Sequence, residues 1–187
     1  MKKQTGIKDI LIPTLALFLI CLVATFLLSY TNSLTAGRIA EVQKNNADKA
    51  RKLVCADAAE FELVEADEQT EIYSALDAAG NEIGYAISTF DKSYGGDIQV
   101  MTGFDTEGKI TGVQILSIDD TPGLGMNAKK DGFRNQYVGK AAGNLVVSKN
   151  AAEDEIQAIT GATRTSEAVT RCVNKASALV FGGGDGE

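Results

Sequence analysis

The stretch Ile159-Thr160-Gly161-Ala162-Thr163-Arg164-Thr165-Ser166 decides how the second half of this chain is read. Two small residues, Gly161 and Ala162, precede a hydroxyl residue, and apolar residues then recur at helical spacing. Ala168, Val169, Cys172, Val173, Ala176, Leu179 and Val180 fall on one side of a 3.6-residue period, which predicts a helix over 165–181. Thr165 is the expected N-cap, Glu167 suits the helix dipole in the first turn, and Gly182-Gly183-Gly184 is the expected stop. The turn therefore brings Thr163 to a helix N-terminus, where free backbone N–H groups and the dipole favour an anion such as phosphate. The same pattern also describes an ordinary strand-to-helix connection with a threonine cap.

Before this turn the period changes from 3.6 to 2. Strand signals begin at Phe61 to Glu65. Glu71 to Leu76 and Glu82 to Phe90 flank Ala79-Gly80-Asn81, and Asp97 to Phe104 and Lys109 to Ile118 flank Asp105-Thr106-Glu107-Gly108. Each pair reads as a β-hairpin. Ile110, Val113, Ile115, Leu116 and Ile118 alternate with one break, as expected of a half-buried antiparallel strand. Ala128 to Tyr137 is a candidate short helix with Phe133 and Tyr137 on one face, and Leu145 to Ser148 is a short strand. The class is α+β.

At the other end, Ile10 to Tyr30 is a run of 21 residues without a charge. As a helix it spans roughly 30 Å, the thickness of one bilayer core. It exceeds the apolar stretch of a cleaved signal peptide and is followed by no good cleavage site, since Leu34-Thr35-Ala36 is a poor one. Lys2, Lys3 and Lys8 precede the run, and the next basic residue is Arg38. That asymmetry predicts a cytoplasmic N-terminus and an outward-facing C-terminal domain. Ser33 to Ala56 reads as a helix linking the two.

The formal net charge is −7, and only one of the 25 acidic residues, Asp9, lies at or before the run. An acidic domain argues against binding nucleic acid or anionic lipid. The chain has no His, so a His-ligated haem, a His base and an imidazole zinc site are excluded. The 3 Cys (Cys21, Cys55 and Cys172) are isolated and cannot build a four-thiolate iron–sulfur centre. Cys172 reads as a core residue, with a Cys55–Cys172 disulfide as the less favoured alternative. If this chain moves electrons, an organic cofactor must carry them.

Two Gly-rich segments precede the turn: Thr121-Pro122-Gly123-Leu124-Gly125, and Tyr94-Gly95-Gly96-Asp97-Ile98. Glycines here would let backbone approach a flat ligand closely, Pro122 stiffens the loop, and Leu124 offers an apolar side chain. Tyr94 could stack, hydrogen-bond or simply close a strand end. No G-K-[ST] follows, so this is not a P-loop, and a strand rather than a helix follows Tyr94-Gly95-Gly96, which excludes a dinucleotide fingerprint. Asp119 and Asp120 lack the spacing of a calcium loop, so no catalytic residue and no metal ligand is assigned.

The run ITGAT resembles the (S/T)GA(T/S) signature of the FMN-binding domain found in the G subunit of Rnf complexes (RnfG) and the C subunit of sodium-pumping NADH:quinone reductases. TPGLG resembles the E-T-P-G-L-G loop of RnfG, with Asp120 in place of Glu, and Tyr94-Gly95-Gly96 resembles its G-Y-x-G segment. The single N-terminal span and the total length also agree. The resemblance implies FMN joined by a phosphoester to Thr163, with Thr160, Gly161, Ala162 and Thr165 beside it and Thr121, Pro122, Gly123, Leu124, Gly125 and Tyr94 near the ring. A Thr hydroxyl is a poor nucleophile at neutral pH. In the family the flavin transferase ApbE attaches the group, using FAD and Mg²⁺. One departure stands out: Gln157 lies six positions before the acceptor, where the family often has an acid, although Glu153, Asp154 and Glu155 are near.

The domain order implied is a cytoplasmic N-terminus (1–9), a transmembrane helix (10–30), a linker helix (31–57), an extracytoplasmic FMN-binding domain (58–181) and a disordered tail (182–187). The implied function is electron relay on the outer face of the plasma membrane. Its setting is a complex that couples electron flow between reduced ferredoxin and NAD⁺ to Na⁺ or H⁺ translocation. The partners would be the other Rnf proteins of that complex; ferredoxin and NAD⁺ would bind elsewhere. The C subunit of the quinone pump is the alternative within the flavin class, and a cofactor-free anchored scaffold domain is the alternative outside it.

Overall fold

The computed structural model describes residues 7–67 and 70–182. Most of the expected cytoplasmic N-terminus, and the expected tail apart from Gly182, lie outside the described residues. The expected span and linker run into each other as a single helix, α1 (Ile7–Val54), with Pro13 inside its second turn. Thr14 and Thr25 return their hydroxyls to the carbonyls four residues back, at 2.8 and 2.7 Å, which satisfies them in an apolar helix. α1 is long and apolar enough to cross a membrane, and none of that apolar window is buried within the protein. The chain divides into two compact units, Met1–Lys44 and Asn45–Glu187.

The second unit is built on a five-stranded antiparallel sheet in the order β1-β2-β3-β4-β5. Its strands are β1 (Glu60–Ala66), β2 (Thr70–Leu76), β3 (Glu82–Lys92), β4 (Asp97–Asp105) and β5 (Ile110–Ile118). The two hairpin turns share one construction. Asp77 accepts the N–H groups of Ala79 (2.7 Å) and Asn81 (2.9 Å), and Asp105 accepts those of Glu107 (2.9 Å) and Lys109 (2.8 Å). Gly80 and Gly108, each at φ +82°, supply the left-handed residue that closes each turn.

The break in alternation along β5 is a bulge. Val100 pairs with Ile115 and Gln99 with Ser117, leaving Leu116 over. Ile115 then packs into the core on one face of the sheet and Leu116 into the core on the other. The larger core joins Ile87, Ile98, Val100, Phe104 and Val113 to Val169, Cys172 and Val173 of the C-terminal helix. The smaller one joins Ala75, Ala86 and Met101 to Ala50, Val54 and Cys55. The two buried cysteines therefore sit in different cores, on opposite faces of the sheet, and both are free thiols.

The single helix expected over 128–137 is replaced by a 3-10 turn (Gly125–Lys129) and a one-turn helix, α2 (Asp131–Arg134), separated by the extended Lys130. Phe133 and Tyr137 are both buried and meet edge to face, and the Tyr137 hydroxyl lies 2.8 Å from Thr170 Oγ1. The strand expected at Leu145–Ser148 shortens to β6 (Val147–Ser148), which pairs in parallel with β7 (Ile156–Gln157). The last helix, α3 (Thr163–Phe181), starts two residues before the position read from the apolar period. Ala162 precedes it without any side-chain cap, and Gly182 follows it at φ +64°. Thr165 is not the N-cap: its hydroxyl bonds elsewhere, to Asp120.

Candidate functional site

The start of α3, the loop after β5 and the β3–β4 turn converge around a cleft of about 800 Å³. One wall is Gln157 to Thr165, the other Asp120, Thr121, Leu124 and Gly125, with Tyr94 and Lys149 completing the lining. Gly161, at φ +77°, makes the left-handed turn that redirects the chain into α3. The first backbone bond of α3 runs from Ser166 N–H to the Ala162 carbonyl at 3.1 Å. The N–H groups of Thr163, Arg164 and Thr165 therefore stand free of the helix ladder at the cleft.

Asp120 ties the walls together. Its Oδ2 accepts hydrogen bonds from the Ser93 hydroxyl and, at 2.8 Å, from the Thr165 hydroxyl, and its Oδ1 accepts the Gly95 N–H at 3.1 Å. Partial burial works against its charge, but the bonds from Ser93, Thr165, Gly95 and Thr121 outweigh that and hold its carboxyl below the usual range. The nearby glycines serve this packing. A Cβ on Gly125 would stand 2.5 Å from Asp120 Cγ and 2.7 Å from Thr165 Oγ1. A Cβ on Gly95 would overlap the Asp119 carbonyl oxygen and stand 3.1 Å from Asp120 Cα. Gly95 and Gly125 thus admit a segment of this chain, and Gly125 lines the cleft as well.

The other sequence-predicted residues separate clearly. Thr160, Gly161, Ala162, Thr163, Thr165, Thr121, Leu124, Gly125 and Tyr94 line the cleft, whereas Pro122 and Gly123 do not. Gly123 is a turn residue at φ +79° with open space around it. Tyr94 is 69% exposed, so it closes no core; it projects at the cleft with Leu124, which is 44% exposed. The hydroxyls at the turn also sort. Thr165 and Ser166 are buried and committed, the first to Asp120 and the second to Ile159 N–H and the Ala162 carbonyl. Thr163 is half-buried, Thr160 is exposed, and neither hydroxyl bonds to another described residue. Among the described residues no group of three or more His, Cys, Asp or Glu could hold a metal.

Residues 93–178 match the family model for the FMN-binding domain, and residues 1–53 match that for the RnfG N-terminal region. The G subunit of the Na⁺-translocating ferredoxin:NAD⁺ oxidoreductase complex of Acetobacterium woodii is 41% identical, covering 92% of each chain. The chain belongs to the RnfG family. A second member, the G subunit of the proton-translocating ferredoxin:NAD⁺ oxidoreductase complex of Clostridium ljungdahlii, is 32% identical and covers 94% of each chain. The crystal structure of the C subunit of Na⁺-translocating NADH-quinone reductase from Parabacteroides distasonis aligns with a TM-score of 0.59 at 19% identity, covering 80% of this chain and 98% of that one. This chain thus shares its fold with that quinone reductase component.

Sequence reasoning about this RnfG family member overlooked two cations at the cleft, Lys149 and Arg164. Arg164 was legible as the neighbour of Thr163. Lys149 was not, because it arrives through the β6–β7 loop. That loop is closed by Gln157, whose side chain donates to the Lys149 carbonyl at 2.5 Å and accepts the Ala151 N–H at 3.2 Å. Asp120 reads in sequence as a loop acid beside the site; its place in the scaffold needed the fold.

Proposed function

We propose that this RnfG family member carries FMN on Thr163 through a phosphoester and relays electrons within a membrane-bound, ion-translocating ferredoxin:NAD⁺ oxidoreductase complex. The observation that carries the reading is the sorting of hydroxyls at the start of α3. Thr165 and Ser166 are buried and bonded, while Thr163 opens on the cleft beside free helix N–H groups. A cleft of about 800 Å³ is within the range of small-molecule sites. Its chemistry suits FMN: Lys149, Arg164 and the helix N-terminus favour a phosphate, and Leu124 and Tyr94 offer apolar and aromatic surface to a ring. Bound there, FMN would supply the reversible electron uptake that the side chains of this chain lack.

Attachment needs a flavin transferase acting on FAD. The Thr163 Oγ–phosphorus bond forms as the pyrophosphate bond breaks, AMP leaves with the bonding electrons, and the hydroxyl proton passes to a base. The chain's own part is to present Thr163 at a rigid helix start and to balance the phosphate charge with Lys149 and Arg164. α1 anchors the domain in the membrane, and the domain faces outward, where a tether keeps the cofactor from diffusing away.

Co-expression with the transferase, followed by intact-mass measurement, tests the reading. The parent and Thr160→Ala should each gain the mass of FMN less one water, and Thr163→Ala should gain nothing. A Thr163→Ala protein that still gains it overturns the assignment.

A further inference from the structure

Among the described residues, the Asp120 carboxylate is the one side chain seen to bond across all three segments that form the cleft. It belongs to the loop after β5, takes Ser93 and Gly95 from the β3–β4 turn, and takes Thr165 from the first turn of α3. These partners lie 27, 25 and 45 residues away in sequence. Thr165 is two residues beyond Thr163, and a helical turn is stiff, so whatever holds Thr165 sets where the Thr163 hydroxyl stands relative to Leu124 and Tyr94. The contact is made without side chains in the way. Gly125 leaves room for the Asp120–Thr165 bond, and Gly95 for the approach of Asp119 and Asp120.

We propose that Asp120 is the positioning residue of this site. Its carboxylate, bonded at once to Ser93, Gly95 and Thr165, sets the spacing between the helix start that bears Thr163 and the two loops that flank the cleft. This rests on reading the cleft as the FMN site. The arrangement favours a carboxylate over an amide. As placed, all three partners donate, and Oδ2 takes two of them. An Asn with its oxygen towards the Gly95 N–H would make the Ser93 and Thr165 hydroxyls turn round and accept from its NH₂, and the flipped amide would set that NH₂ against the Gly95 N–H. Either way the charge-assisted bonds are replaced by weaker neutral ones, which loosens the spacing of the segments. The low proton affinity that these bonds impose keeps the group an acceptor throughout the physiological range. A negative charge beside the first turn of α3 also suits the helix dipole.

The test compares the parent with Asp120→Asn, Asp120→Glu and Thr165→Val, each co-expressed with the flavin transferase. Three quantities are read: the rate of FMN attachment by intact mass, the flavin midpoint potential by spectroelectrochemistry, and the thermal midpoint of the flavin-free protein. Asp120→Asn and Thr165→Val should attach FMN at least about ten-fold more slowly, as misplacement of a reacting group by a fraction of an ångström does. Any flavin they carry should show a shifted midpoint potential. Asp120→Glu, which keeps the carboxylate, should recover most of the rate. Combining Asp120→Asn with Thr165→Val should cost less than the product of the two single effects, because both act on the Asp120–Thr165 bond. If Asp120→Asn fails to fold, Thr165→Val, which keeps the shape of the side chain, decides alone. Parent-like rate and potential in a folded Asp120→Asn or Thr165→Val overturn the proposal. So does a lowered thermal midpoint with rate and potential unchanged, since that is a structural role only. A parent that gains no FMN at all overturns the reading of the site itself.

Discussion

The backbone of Val54 lies against Gly103 with no room for a side chain between them. A Cβ on Gly103 would stand 2.8 Å from the Val54 carbonyl carbon and 2.6 Å from Thr111 Oγ1. Gly112 repeats the contact on the neighbouring strand, where a Cβ would come 2.9 Å from Val54 Cα. The Thr111 hydroxyl completes it by donating to the Val54 carbonyl at 2.5 Å. The end of α1 is thus seated directly on the backbone of β4 and β5, and the nearest obstructing atoms of Val54 are main chain, which cannot swing aside. Gly103→Ala should therefore cost about 1–3 kcal/mol of stability, as overpacking of a tight core does. Denaturant unfolding of the flavin-free protein would read this directly. An unchanged midpoint would mean that Val54 is not held against the sheet in solution.

The two glycines of the TPGLG loop should respond differently to alanine. Gly123 has open space around it, so Gly123→Ala meets only the strain of a left-handed φ, about 1 kcal/mol. Gly125→Ala drives a methyl group into Asp120 and Thr165, so it should also separate the cleft walls. Flavin attachment should therefore fall in Gly125→Ala and stay close to the parent's in Gly123→Ala. Equal rates in the two variants would contradict the packing around Gly125.

Burial pushes the Cys55 thiol from 9.0 up to about 11 and the Cys172 thiol from 9.0 up to about 12. In an unfolded chain both would ionise near 9.0; in the folded one they stay protonated. Their stabilising effect is complete below 9.0 and is lost progressively as pH rises from there towards about 11 and 12. Between pH 8 and pH 10 the unfolding free energy should fall by about 1 kcal/mol for each thiol. Denaturant titrations at the two pH values measure the fall, and Cys55→Ala with Cys172→Ala should remove it. In the native protein at pH 8, a thiol reagent should label Cys21 in detergent and spare the other two.

Orientation is open to direct test. Lys2, Lys3 and Lys8 precede the apolar run, and the next basic residue is Arg38. The positive-inside rule then predicts that the sheet domain lies outside. A protease added to intact spheroplasts should cut the domain. If cutting occurs only after the membrane is breached, the topology is inverted and an outward electron relay fails with it.

What the sequence determined by itself was carried by local signals. Alternation over 71–118 marked the two hairpins, because a side-chain period of two requires only neighbouring residues. The apolar run from Ile10 marked a helix long enough to span a bilayer, and the absence of His with isolated Cys removed most metal and haem chemistry. The run ITGATRTS marked a helix start that bears a hydroxyl, and its resemblance pointed to the RnfG family. Tertiary structure alone decided the rest, and the reason is range. Thr165 reads locally as a cap, but a hydrogen-bond acceptor 45 residues away captures its hydroxyl, and the helix starts uncapped at Thr163. The break in β5 reads as noise until pairing with β4 makes it a bulge that feeds two cores. Asp120 and Gly125 look like loop residues because nothing adjacent in sequence tells that one is enclosed by three donors and the other is glycine to make room for it.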